Sequence, residues 1–218
     1  MNAEQVELYL IEHPQFFAQL FERRPELLES IQVPHPYGGR AIPLSERQIL
    51  TLREKVRLLE GKLGELIQFG EENDAIGEKV HRLASALLAA NDPPAAVNAL
   101  HFHLREDFAV PHVALRIWGQ PRFATSVEGA PVSEAQRLLA QTMGSPQCGP
   151  AEGNPFLACL GEAAGHVRSL ALVPLGATQA FGMLVLGSED GRRFYPEMGT
   201  LFLGRVGELA AAALAPRA

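Results

Sequence analysis

Apolar residues recur in alternating steps of four and three along this chain, and the pattern stops at Asn91-Asp92-Pro93-Pro94. The first run is Leu52, Val56, Leu59, Leu63 and Leu66; the second is Phe69, Asn73, Ile76, Val80, Leu83 and Leu87. This alternation averages 3.5 residues and draws one stripe down a helix, the seam of a left-handed coiled coil. Such a stripe needs a surface to bury against. At Leu66 two three-residue steps meet, a stammer that overwinds a coil locally. Asn73 falls on the seam, where a buried amide fixes register at some cost in stability. Ser45, with Gln48 three residues on, makes a capping-box signature and sets the expected helix start. Gly61, Gly64, Gly70 and Gly77 each weaken an isolated helix by about 1 kcal/mol. Packing has to offset that cost, whether from a second chain, from the helices upstream or from the chain's own domain.

Residues 1–43 read as short helices followed by a loop. Pro14 and Pro25 suit the first turn of a new helix, where the missing N–H costs nothing. Val6, Leu10, Phe16, Phe17, Leu20, Phe21, Leu27, Leu28 and Ile31 are too many apolar residues for a solvated arm. Residues 33–39 lack periodicity and hold two glycines, which makes them a loop. Residues 44–91 form the long dimerisation helix.

Residues 92–218 read as one mixed domain able to fold without the upstream helix. Asp92 caps a helix with Pro93 at its first position, and Val97, Leu100, Leu104 and Phe108 share its inner face. Residues 113–118 alternate as a strand, with Val113, Leu115 and Ile117 on one side and Arg116 and Trp118 on the other. A second short strand is expected at residues 122–125, a helix capped by Ser133 at 133–143, and a short strand at 147–149. Residues 149–165 are irregular, with one helical turn at 156–160. Two strands at 167–175 and 179–188 flank a turn at 176–178; both are apolar on both faces, so both faces of the sheet should be covered. Pro196 is expected to open a last helix running to Leu214. The fold class is therefore α+β.

Composition limits the function. With 47% hydrophobic and 20% charged residues the chain can bury a core. A net charge of -6 argues against a nucleic-acid partner, which needs clustered Lys and Arg. No apolar run reaches the length of a membrane helix, and no signal pattern opens the chain, so a cytoplasmic location and no membrane partner are expected. The two cysteines, Cys148 and Cys159, fit no metal spacing, and no cofactor is indicated. His101 and His103 sit two apart on a helix, on different faces, which suits solvated positions better than a metal. Asp190 reads as a turn residue.

Arg168-Ser169-Leu170-Ala171-Leu172-Val173-Pro174-Leu175, then Gly182-Met183-Leu184-Val185-Leu186-Gly187-Ser188, Asp190, Phe194 and a terminal amphipathic helix resemble the end of a GAF domain. A narrower match is carried by His13-Pro14, Phe16-Phe17, Val33-Pro34-His35, Leu44-Ser45-Glu46-Arg47-Gln48, Leu52-Arg53, Asn73 and Cys148-Gly149-Pro150. These resemble the uncharacterised bacterial GAF-like family known as domain of unknown function 484. The resemblance implies a central antiparallel sheet between helices and a small-molecule sensor class, but no established activity. The Asn-Lys-Phe-Asp-Glu signature of cyclic-nucleotide-binding GAF domains is not present.

A ligand cavity is then expected between one sheet face and residues 149–165. Arg116 would pair an anion there, Trp118 would stack on a ring, Cys148 would form wall and Arg168 would give a second anion partner. The plainer reading of the arginines and Trp118 is edge exposure, and that of Cys148 a small buried apolar group. No nucleophile–base pair or metal set is visible, so an enzyme is not expected. The expected function is a GAF-like sensory or regulatory module, a homodimer through the helix around Leu52–Leu87. It would bind an unidentified small anionic or aromatic metabolite, an unknown output protein, or both. The alternative is an adaptor whose GAF-like domain has lost its ligand.

Overall fold

The structure is a computed structural model, and it describes residues 2–33, 42–176 and 179–216. Most of the expected loop at 33–39 and two residues of the turn at 176–178 lie outside the described residues. The chain divides into two compact units, Met1–Gly70 and Glu71–Ala218.

In the first unit, α1 (Ala3–Glu12) starts with a reciprocal cap: Asn2 Oδ1 accepts from Gln5 N at 2.9 Å, and Gln5 Oε1 accepts from Asn2 N at 3.0 Å. α2 (Phe16–Arg23) and α3 (Glu26–Ser30) follow; Gln15 is the N-cap of α2 and Pro25 that of α3, so Pro14 and Pro25 precede the two helices instead of sitting in their first turns. Two two-residue strands not foreseen from the sequence, β1 (Gln32–Val33) and β2 (Ile42–Pro43), pair antiparallel across the loop. α4 (Leu44–Ala89) is one unbroken α-helix; it starts one residue before the expected Ser45. Its first 27 residues, 44–70, belong to this unit, and Leu52, Val56, Leu59, Leu63 and Leu66 are all exposed there. Neither α1 nor α2 buries a residue. Their rings instead contact one another in a chain: Tyr9 meets Phe16 at 5.6 Å and Phe16 meets Phe17 at 5.8 Å edge to face, and Phe17 stacks on Phe21 at 5.6 Å.

The second unit is built on a four-stranded antiparallel sheet of β3 (His112–Ile117), β4 (Gln147–Pro150), β5 (Ser169–Leu175) and β6 (Gly182–Ser188), in the order β3-β6-β5-β4. Leu115 pairs with Leu184 and Val173 with Leu184, so apolar residues of neighbouring strands line up on one face. Three helices cover that face: residues 71–89 of α4, α5 (Pro93–Glu106) and α7 (Leu201–Leu214). α5 begins as expected, Asp92 Oδ1 accepting from Ala95 N at 2.7 Å. α7 comes close to β5 because Gly207 has no side chain; a Cβ there would lie 2.5 Å from Val173 Cγ1. The other face carries α6 (Glu134–Thr142) and the 3-10 segment Leu157–Gly165. α6 has the Ser133–Gln136 reciprocal cap. Both sheet faces are therefore covered, as the doubly apolar strands required.

Three expectations are corrected. Residues 122–125 are not a strand: Pro121–Phe123 is a 3-10 turn, and Phe123 is buried from it. The last helix starts at Leu201 rather than Pro196, because residues 189–200 first make turns around Asp190, whose Oδ1 accepts from Arg192 N at 2.8 Å. The third concerns the second half of the seam. Leu83 and Leu87 are 0% and 6% exposed, in one core with Leu100, Leu104 and Leu214. The helical stripe there is used within the chain, and the compact unit starts at Glu71 rather than at residue 92.

Candidate functional site

The four residues expected to share a ligand cavity do not come together. Arg116, within β3, and Trp118, just after it, lie on the face that carries α6. Arg116 donates through Nη1 to the Leu115 carbonyl at 2.9 Å and through Nη2 to the Cys159 carbonyl at 3.3 Å. Trp118 Nε1 donates to the Ala180 carbonyl at 3.0 Å. Cys148 points to the opposite face, pairing in register with Ala171 and packing on the helix-covered core. Burial pushes its thiol above the ordinary cysteine value, so it is held as a neutral thiol rather than a reactive thiolate. Arg168 is exposed, and its backbone bridges Ala151 N and Ser188 O.

Side chains occupy the expected cavity. Phe156, Met183 and Leu170 are at most 1% exposed in the core between that sheet face and the irregular segment. A Cβ at Gly187 would lie 2.7 Å from Leu160 Cδ1 and 3.2 Å from both Val167 methyls, so packing there is close. Gln136 holds the segment down by donating from Nε2 to the Pro155 carbonyl at 2.8 Å. The segment is long because it supplies the core with Phe156, Leu157 and Leu160, not because it walls a pocket.

The open space is on the helix-covered face. A groove of about 600 Å³ is lined by Ile76 and Lys79 of α4, Phe108 after α5, Arg193 in the loop before α7, and Leu201 and Phe202 of α7, among other apolar groups. Its size falls in the range of small-molecule sites, roughly 300–1,000 Å³. The Arg193 guanidinium donates from Nη2 to the Phe108 carbonyl at 2.8 Å and lies 5.7 Å from the Phe194 ring centre. Lys79 Nζ lies 6.0 Å from the centre of the Phe108 ring. The lining includes no carboxylate.

Beside the groove's α4–α5 wall is an ionic cluster. Asp107 Oδ2 lies 2.6 Å from His103 Nδ1, and Asp107 Oδ1 accepts from Arg82 Nη2 at 3.2 Å. The His103 hydrogen bond, then Arg82, holds the Asp107 carboxyl below the usual carboxylate range. His101 faces elsewhere: its Nε2 is buried without a partner, and burial first, then Arg105, lowers its pKa, with Glu128 opposing. The two histidines therefore serve different surroundings. Among the described residues no group of three or more His, Cys, Asp or Glu is placed to hold a metal. No helix among them is long and apolar enough to cross a membrane.

Sequence reasoning missed Lys79, Arg193 and the Arg82–His103–Asp107 cluster. Lys79 precedes a seam position by one residue and reads as solvated. Arg193 is separated from Phe108 by 85 positions, and tertiary packing, the β3–β6 pairing included, brings the two together.

The family model described as "Protein of unknown function, DUF484" matches residues 1–217. The chain belongs to the DUF484 family. That match runs across both compact units, so residues 1–70 are as much a part of the DUF484 pattern as the sheet domain. No curated protein matches the chain.

Proposed function

We propose that this DUF484 chain is a non-catalytic regulatory module of the adaptor kind. It works as a homodimer joined along the first seam of α4 and passes its signal to another protein by contact. The observation that carries this reading is the exposure of Leu52, Val56, Leu59, Leu63 and Leu66 at regular four–three spacing, with Leu59 65% and Leu66 66% exposed. Each such leucine has about 1.5–3 kcal/mol to gain from burial. A second copy carries the same stripe, so the knobs of one helix fit the holes of the other. Val80, Leu83 and Leu87 of the second run pack in the core of their own domain, whereas the five residues of the first run stay exposed among the described residues.

The adaptor form is favoured over a sensor with its ligand under the sheet because Phe156, Met183 and Leu170 occupy that space. The candidate polar groups also serve structural ends: Arg116 and Trp118 bind backbone carbonyls, and Cys148 is a neutral, half-buried thiol. A GAF-like sheet used this way resembles a sensor scaffold kept for its shape. The test is a double variant, Leu59→Glu with Leu63→Glu, followed by light scattering at low micromolar concentration. Monomers that keep the wild-type near-ultraviolet dichroism are expected. A variant that stays dimeric overturns the reading.

A further inference from the structure

We infer that the groove between α4, α5 and α7 is a binding site for an organic anion with an apolar body, an aliphatic or aromatic carboxylate. The inference does not depend on dimerisation, since every lining residue lies between Asn73 and Val206, in the second compact unit. Two features of the lining point to this class.

The walls are apolar. Ile76, Leu104, Phe108, Leu186, Phe202 and Val206 come from three helices and the sheet, so an apolar body meets hydrocarbon on several sides. The space is open in a domain whose opposite face is closely filled.

The charge on the lining has one sign. Lys79 and Arg193 are its charged groups, and neither has a carboxylate partner among the described residues. The nearby acid, Asp107, is already held by Arg82 and His103. Arg193 spends one donor on the Phe108 carbonyl, which fixes the direction of the guanidinium and leaves its other N–H groups for a ligand. Lys79 beside the Phe108 ring is a point charge on a flexible stem, suited to a carboxylate but without the fork that would demand one. The Asn73 amide adds a neutral donor.

The whole chain carries a net charge of -6, so two cations without acids around an apolar groove run against its average. An acyl or aryl carboxylate satisfies both parts of the site at once. A neutral apolar molecule leaves the cations without a partner, and a small hydrophilic anion leaves the walls wet.

The probe is dodecanoate, titrated calorimetrically into the intact chain below its micellar concentration, with dodecanol as the uncharged control. Dodecanoate should bind at one site per chain and at least tenfold more tightly than dodecanol. Lys79→Glu should weaken it tenfold or more. Leu201→Trp, at an exposed lining position where the larger ring fills the groove without disturbing the core, should abolish it. Both variants are checked for wild-type dichroism. Absence of dodecanoate binding overturns the inference. So does equal binding of acid and alcohol, or binding unchanged in both variants. If Leu201→Trp instead turns a dimer into a monomer, the groove is covered by a second copy and the ligand assignment fails, while dimerisation itself stands.

Discussion

His103 Nδ1 lies 2.6 Å from Asp107 Oδ2, and Arg82 reaches the other oxygen of the same carboxylate from α4. One acid thereby ties the end of α5 to the part of α4 that belongs to the sheet domain. His103 and Arg82 hold its pKa below the unfolded value. The contribution to stability is therefore complete above the unfolded value and is lost as pH falls through the lower, folded one. Asp107→Asn should cost about 1 kcal/mol at neutral pH, the upper end for a partly exposed pair. The gap to wild type should close on the acid side of the ordinary carboxylate range. Urea titrations at several pH values measure it; a gap that widens with acid contradicts the assignment.

The turn that follows α5 contains a left-handed residue that is not glycine. Ala109 has φ 52, is exposed, and is followed by Val110 N donating to the Leu104 carbonyl at 2.9 Å. An L-residue in this region costs about 1–2 kcal/mol, partly offset by the freedom glycine brings to the unfolded chain. Ala109→Gly should raise stability by about 0.5–1 kcal/mol, seen as a higher denaturant midpoint at unchanged slope.

Phe156 is fully buried on the sheet face where a ligand was expected. Phe156→Ala should cost about 3–5 kcal/mol through lost burial and the void it leaves. Arg168→Ala, at an exposed position, should stay within about 0.5 kcal/mol of wild type. Thermal or chemical unfolding of the two variants separates a filled face from an open one.

A fragment of residues 71–218 should unfold cooperatively, and one of residues 92–218 should not. The shorter piece lacks Leu83 and Leu87, which pack with Leu100 and Leu104. Near-ultraviolet dichroism on heating distinguishes them. A sharp transition in the shorter fragment means that the α4 segment is dispensable to the core.

Local chemistry made much of this fold legible. Asp92-Pro93 and Ser133 with Gln136 announce helix starts through their own backbone hydrogen bonds, and the alternation of Val113, Leu115 and Ile117 announces a strand with a buried side. The stretch from Leu83 to Leu87 shows the limit. Four–three spacing says that a stripe is buried but not against what, and here the partner is the chain's own sheet domain rather than a second copy. The same limit hid the groove. Lys79, Phe108 and Arg193 each read as ordinary surface or helix-end residues until the sheet order places them side by side. The alternation of β3 assigns Arg116 and Trp118 to the face away from Leu115, but their partners, the Cys159 and Ala180 carbonyls, come from segments with no periodic signal.

The central claim is that seam residues 52–66 join two copies of this chain, and the mass of the unmodified protein tests it most directly. Sedimentation equilibrium of the intact chain at low micromolar concentration should return the mass of two chains, and the 71–218 fragment should return the mass of one. An intact chain that sediments as a single copy, or a fragment that still pairs without residues 52–66, contradicts the account.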